Sequence, residues 1–289
     1  MLYAHDDPSG WGRQFVMAAG RLGMEAGLFR RPQDVPGGGR AFVRLDQQRE
    51  QRDISRGLVL TLADAGVTTL PTAQEAIWYD DKAAQIQALH PWLPDTWFVP
   101  DRGQAMELAA QLDYPIISKS IDGSSSKGVR ILRNQLEAAA EIGAVFGAGI
   151  PSVYDRVQQG YVYWQRFLPD NPCDYRVCIC GDYAFGLVRN NRKDRPMASG
   201  SGDNHPLTLA TARECAAVDL AWEIAQALGT RWMAFDIVFD GDRPQVLEMS
   251  SSWTPYAYTL CPAFLPHGSS DGRSGAHMFE MAAEVLGSC

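Results

Sequence analysis

The run Arg-Trp-Met-Ala-Phe-Asp-Ile-Val-Phe-Asp-Gly-Asp-Arg-Pro-Gln-Val-Leu-Glu-Met-Ser, residues 231–250, reads as two strands folded around a tight turn. Centring the turn on Asp242 sets Asp236 directly opposite Glu248. Alternation by two then gathers Phe235, Ile237, Phe239, Leu247 and Met249 on a core face. The other face carries Ala234, Asp236, Val238, Val246, Glu248 and Ser250. Opposed residues have β-carbons about 5 Å apart, so two ionised carboxylates there repel unless a cation holds them. Magnesium takes a few carboxylate oxygens and completes its shell from phosphates, which makes this pair a candidate seat for it. The alternative is an exposed hairpin with solvated acids, and the small apolar neighbours on the acidic face speak against it. Neutralising Glu248 is expected to relieve repulsion rather than loosen the hairpin.

Upstream, DYRVCIC and YAFGLVRN flank a Gly181-Asp182 turn and form a second hairpin. It pairs Asp174 with Arg189 and puts Arg176 on the same face, with Arg192, Lys193 and Arg195 just beyond. Arginines sharing a sheet face beside a metal suit a transferring phosphoryl group, whose developing charge must be neutralised. The alternative is a structural Asp174–Arg189 pair followed by a solvated basic turn. A third element is the strand YPIISK, ending in Lys119, followed by DGSSSKG, residues 122–128. Small residues between strands let backbone N–H groups approach phosphate oxygens. No GKS or GKT opens a helix, so this is not a Walker loop, and a serine-rich flexible turn is the alternative.

Around these elements the chain alternates helical and strand periods. Pro8-Ser9 with Phe15, Ala18, Ala19 and Leu22 predicts a capped amphipathic helix. PGGGR (36–40) reads as a loop and AFVRL (41–45) as a strand, and Ile54, Leu58 and Leu62 fall on one helical face. Asp81 is expected to cap a helix through Leu89. The fold class is α+β: an α/β N-terminal subdomain (1–75), a central lobe with the lysine and Gly/Ser loop (76–160), and a C-terminal lobe with the metal site (161–289).

Bulk properties narrow the functions. A net charge of -8 argues against general nucleic-acid binding, which uses a basic face to displace counterions. MLYAHDDPSG lacks the basic and apolar regions of a signal peptide, and no apolar run reaches the length of a membrane span. The six cysteines show no CxxC pair and no zinc spacing, which points to reduced thiols in the cytoplasm.

The order of the motifs adds a resemblance. Asp-Asp-Lys82, Pro-Ile-Ile-Ser-Lys119, GSSSKGV, Tyr-Trp-Gln165-Arg166-Phe167-Leu168, Asp174-Tyr-Arg176 and the Asp236/Glu248/Ser250 spacing together resemble the ATP-grasp superfamily. The likeness is strongest to the ribosomal-protein glutamate ligase and glutathione synthetase branch, and runs from about Asp80 to Ser252. It implies two α+β lobes that bind ATP with Mg2+ (or Mn2+) and activate a carboxylate as an acyl phosphate for an amine. Lys82, Lys119 and the loop serines Ser124, Ser125 and Ser126 would meet phosphates. Gln165, Arg166, Phe167 and Leu168 would line the adenine pocket, with Asp174 near the ribose. Arg176 and Arg189 would steady the acyl phosphate, and Asp236, Glu248 and Ser250 would hold the metal. Arg166 stands where the family usually has glutamate, and Ser250 where it has asparagine. The implied partners are a small-molecule or peptide carboxylate and an amine acceptor, in a homodimer or tetramer. A kinase acting on a hydroxyl and a non-catalytic nucleotide-binding protein are the competing readings. The segment 251–256 is expected to help form the substrate pocket.

Overall fold

The computed structural model describes residues 1–121, 128–152, 156–193, 198 and 202–288. The chain opens with β1 (Leu2–His5), α1 (Trp11–Arg21), β2 (Ala26–Phe29), β3 (Arg40–Phe42), α2 (Arg49–Asp64) and β4 (Thr68–Leu70). All four strands pair in parallel, in the order β2-β1-β3-β4. Helix α1 buries Phe15, Ala18 and Ala19 as its periodicity predicts. Ser9 does not cap it: the residue before the helix is Gly10, in a left-handed conformation that suits glycine. The Asp7 carboxylate instead accepts from the N–H groups of Ser9 and Gly12 at 3.0 and 2.8 Å. In α2 the buried face runs through Arg52, Ser55, Val59 and Leu62, and of the three apolar residues read onto one face Leu62 is buried and Ile54 exposed.

Two short helices, α3 (Ala73–Trp78) and α4 (Lys82–Leu89), lead to the second sheet. As expected, Asp81 caps α4, its Oδ1 accepting from Ala84 N at 3.0 Å. The next elements are β5 (Thr96–Val99), α5 (Arg102–Ala109), β6 (Ile116–Lys119), β7 (Val129–Leu132), α6 (Gln135–Val145), a short ladder of β8 (Ile150–Pro151) and β9 (Val157–Gln158), and β10 (Val162–Arg166). The sheet order is β5-β10-β6-β7, antiparallel throughout. Strand β10 lies between β5 and β6, so the chain leaves this sheet only after Arg166. Glu141 of α6 is buried in this lobe, accepting from Ser118 Oγ (2.6 Å), Trp164 Nε1 (3.0 Å) and Arg130 Nε (2.9 Å). Those donors offset the cost of burying its charge.

The third sheet comprises β11 (Cys173–Cys180), β12 (Tyr183–Asn190), β13 (Asn204–Pro206), β14 (Trp232–Asp240) and β15 (Arg243–Ser250), in the order β13-β12-β11-β14-β15. Helix α7 (Ala212–Leu228) covers one face through Ala217, Leu220, Ala221 and Ile224. The opposite face joins Cys178, Cys180 and Trp232 to a cluster with Phe15 and Phe42 of the first subdomain and with α8 (Met278–Ser288). The C-terminal helix thus returns to the start of the chain. The five described cysteines are free, and among the described residues no helix is long and apolar enough to cross a membrane.

The β14–β15 hairpin reaches the predicted opposition by a different route. Its turn is Gly241-Asp242, with Asp240 opposite Arg243, which alone sets the register one residue off. A β-bulge between Asp236 and Ile237 shifts it back and restores Asp236 opposite Glu248. Between turn and bulge the faces exchange. Val246 is in the core and Leu247 only half-buried, which corrects the face assigned to both from the sequence.

Candidate active site

The seam between α4 and the third sheet encloses a cavity of about 200 Å³, lined in part by Lys82, Arg176, Arg189, Glu248 and Ser250. Strand pairing determines most of its chemistry. Asp174 pairs with Arg189 across β11–β12, Arg176 with Asp236 across β11–β14, and Asp236 with Glu248 across β14–β15. Arg189 grips Asp174 through Nε (2.6 Å) and Nη2 (2.8 Å), and its Nη2 also reaches Asp236 at 2.8 Å. Arg176 Nη1 donates to both Asp236 oxygens, at 2.9 and 3.1 Å. The carboxylates are therefore not a bare repelling pair. Two guanidinium groups hold Asp236, and the Lys82 ammonium sits 3.0 Å from Glu248.

These neighbours set the ionisation. Burial works against a charged Glu248, but Lys82, Lys119 and Arg176 outweigh it and hold the carboxyl at about 2, below its ordinary 4.5. Burial lowers Lys119 from 10.5 to about 8, with Glu248 pulling upward and Lys82 downward. Burial opposes charge on Arg189 too, yet Asp236 and Asp174 keep it well above its usual range. Among the described residues four cations (Lys82, Lys119, Arg176, Arg189) thus surround three acids (Asp174, Asp236, Glu248), while Asp80 in the cavity wall has its own partners in Arg52 and Arg156. The cluster carries a surplus positive charge suited to an anion.

Two residues to which the motif reading gave no role, Gln85 and Asp80, build part of the cavity wall. Gln85, one helical turn after Lys82, clasps Met249: its Nε2 donates to Met249 O (2.9 Å) and its Oε1 accepts from Met249 N (3.1 Å). Gln85 therefore holds the edge strand β15 beside Glu248. The signal was the i, i+3 spacing of Lys82 and Gln85, which puts both on one helix face. Asp80 has a left-handed backbone (φ 51) and is bound by Arg52 and by Arg156 Nη1, the latter at 3.2 Å.

The remaining predicted residues divide. Gln165 turns its carboxamide to Lys119 Nζ (2.7 Å) and Thr96 Oγ1 (2.9 Å). Arg166 binds Asp240 of β14 at 2.6 Å and lies 3.2 Å from Asp95, tying the second sheet to the third. Phe167 is half-buried and Leu168 buried in the crossover, which Asn171 pins by hydrogen bonds to the Phe239 main chain at 2.8 Å. Ser250 lines the cavity, but its hydroxyl donates to Ser252 O at 2.6 Å. Among the described residues no group of three or more His, Cys, Asp or Glu gathers as a metal cage. Ser124, Ser125 and Ser126 lie outside the described residues.

The lowered Lys119 value predicts a pH dependence. Below about 8 the ammonium is charged and offers its full attraction to phosphate; above that it deprotonates. Were the phosphates of a nucleotide held at Lys119, they would favour the charged form, and binding would take up a proton in that range. Affinity should fall by up to about tenfold per pH unit above pH 8. Calorimetry with ADP and magnesium at pH 7 to 10 tests this. The slope should vanish in Lys119→Met, and a flat wild-type profile would remove Lys119 from the phosphates.

With the geometry in hand, comparison identifies the fold. The chain superposes on an ATP-grasp RimK domain protein from Sphaerobacter thermophilus with a TM-score of 0.61, at 20% identity, over 99% of both chains. It superposes on the ATP-grasp ligase PsnB, solved with its minimal precursor, Mg and ADP, with a TM-score of 0.60, at 15% identity, over 99% of this chain and 97% of that one. The chain therefore has the ATP-grasp fold that its motif order resembled. In sequence it is 25% identical over 177 residues to the alpha-aminoadipate–LysW ligase LysX of Sulfurisphaera tokodaii. That match covers 58% of this chain and 56% of the relative. No family model matches the chain.

Proposed function

We propose that this protein is an ATP-dependent, ADP-forming ligase that activates a carboxylate as an acyl phosphate and joins it to an amine. The observation that carries the reading is the cluster of Lys82, Lys119, Arg176 and Arg189 around the opposed Asp236 and Glu248 in an ATP-grasp fold. The substrate carboxylate oxygen attacks the γ-phosphorus, forming an O–P bond as the bond to ADP breaks. The amine nitrogen then attacks the acyl carbon, a C–N bond forms, and phosphate leaves with the C–O electron pair and the amine proton. Arg176 and Arg189 steady the acyl phosphate and Lys119 the transferred phosphates, because their charge is fixed before the reaction begins. Main-chain groups of residues 165–168 line the adenine pocket, and Asp174 lies near the ribose. PsnB was solved with a minimal precursor, Mg and ADP and, separately, with a precursor peptide and AMPPNP, and LysX is named for joining alpha-aminoadipate to LysW. An amino-acid or peptide substrate follows that pattern. We place the protein in the cytoplasm, where free buried thiols such as Cys178 and Cys180 persist.

Magnesium fits the acidic pair on one condition. Asp236 and Glu248 present carboxylate oxygens on one face, yet both are already neutralised by arginine and lysine. A dication entering a site with surplus positive charge needs the triphosphate as counter-charge. Asp236 and Glu248 would then hold it, with Ser250 beside them, and it would screen the phosphate oxygens during transfer.

Incubating the enzyme with ATP, magnesium, hydroxylamine and a panel of amino and dicarboxylic acids tests the reading. The correct acid should yield a hydroxamate without any natural amine. Arg176→Ala should reduce hydroxamate formation by at least about 100-fold, roughly 3 kcal/mol of barrier, while nucleotide still binds. A stable phosphate ester, with one ADP per ester and no free phosphate, would establish a kinase instead.

A further inference from the structure

Next to the cationic cavity runs a larger groove of about 460 Å³, and the two share Gln47, Trp253 and Thr254 as a common wall. Its walls come from distant parts of the chain: Trp11 and Gln14 from α1, Arg44 after β3, Tyr256 after the acidic hairpin, and Met278 at the start of α8. Among its described lining residues Arg44 alone carries a formal charge. The Arg44 guanidinium lies 5.4 Å from the centre of the Trp11 ring and donates from Nη1 to Asp46 at 2.7 Å. Its Nε has no hydrogen-bond partner among the described residues, and neither has Trp253 Nε1. Trp253 itself is stacked on Trp232 with ring centroids 4.6 Å apart, which fixes the shared wall.

A ligation needs two adjoining compartments, one for the phosphates and the activated carboxylate and one for the nucleophile. The small cavity, lined by Lys82, Arg176 and Arg189, suits the first. The groove has the size of a small-molecule site, aromatic walls and a single guanidinium among its described lining residues. Building on the ligase reading, we infer that the groove holds the amine substrate, and that this is an α-amino acid with an apolar side chain. Its carboxylate meets Arg44, and its side chain lies against Trp11, Tyr256 and Met278. Its amino group reaches the shared wall at Gln47 and Thr254, beside the acyl carbon. Asp46 does not exhaust Arg44, because a guanidinium fork serves two carboxylates at once. Arg189 does so in this same molecule, between Asp174 and Asp236.

Calorimetry with L-phenylalanine and L-phenylalaninamide, each titrated into the full-length protein with ADP and magnesium, tests the assignment without any turnover. Wild type should bind the free acid at least about tenfold more tightly than the amide. Arg44→Met should erase that preference and leave ADP affinity unchanged. Arg44→Lys keeps the charge but not the fork, serves if the methionine variant does not fold, and should lose at least about threefold. Equal binding of the two probes, binding of neither, or a preference that survives both substitutions overturns the groove assignment. ADP titrated alone with magnesium reports separately on the ligase reading. If ADP binds and phenylalanine does not, the groove assignment falls and the ligase reading stands. If phenylalanine is held through Arg44 and ADP does not bind, the groove is an amino-acid site but the ligase reading falls, and with it the role of that amino acid as the amine substrate.

Discussion

Arg189→Met is expected to destabilise the fold by about 3–5 kcal/mol, the cost of leaving buried charges uncompensated. Arg189 is the only guanidinium bound to Asp174 among the described residues, and one of two bound to Asp236. Both acids are buried, so removing it strands one carboxylate completely and weakens the other. Arg176→Met is the internal control. It leaves Asp236 with its 2.8 Å contact to Arg189 and should cost about 1–2 kcal/mol. Small domains have only about 5–15 kcal/mol of stability in total, so the Arg189 variant should melt markedly earlier than the Arg176 variant. Urea unfolding followed by circular dichroism separates them. Equal losses, or the reverse ranking, would show that the Asp174–Arg189–Asp236 chain does not act as a unit.

Glu248→Gln should lower magnesium-dependent turnover by at least about 100-fold, near 3 kcal/mol of barrier, since it removes one carboxylate of the opposed pair. Opposition of Asp236 and Glu248 by itself predicts relief of repulsion and an unharmed or firmer fold. The observed contacts reverse that sign. Glu248 faces Lys82 at 3.0 Å and is held at about 2, so its charge stabilises the folded state. A carboxyl with a folded value below its unfolded 4.5 contributes fully above about pH 4.5. That contribution disappears as pH falls towards about 2. The variant should therefore be less stable than wild type at pH 7, and the gap should close at low pH. Wild-type turnover in Glu248→Gln would take the pair out of the reaction, and an unchanged gap at low pH would contradict the Lys82 assignment.

The Asp236–Glu248 opposition shows how a correct local conclusion can rest on an incomplete path. A hairpin and its period of two were legible, but neither the exact turn, Gly241-Asp242 rather than one centred on Asp242, nor the bulge that offsets it was. The two-residue turn put Val246 rather than Leu247 into the core, and the bulge, an extra residue that leaves no mark on composition, returned Glu248 and Met249 to their predicted faces. The first hairpin has no such irregularity, and Asp174 met Arg189 as its turn required. Asp81 at the head of α4 was likewise readable, because a cap is a contact between residues three apart.

What the sequence determined by itself was short-range: helix caps, the two hairpins with their paired charges, and the order of motifs that resembles an ATP-grasp chain. What only the tertiary structure decided was which distant elements meet. Lys82 reaches Glu248 and Gln85 reaches Met249 only because α4 packs on the edge of the third sheet. β10 enters the second sheet between β5 and β6, and α8 closes on α1, so that Trp11, Arg44 and Met278 share one groove. The physical reason is range. Caps and turns are set by neighbours a few residues apart, whereas these contacts come from burying one apolar face against another, which period and composition describe without naming the partner.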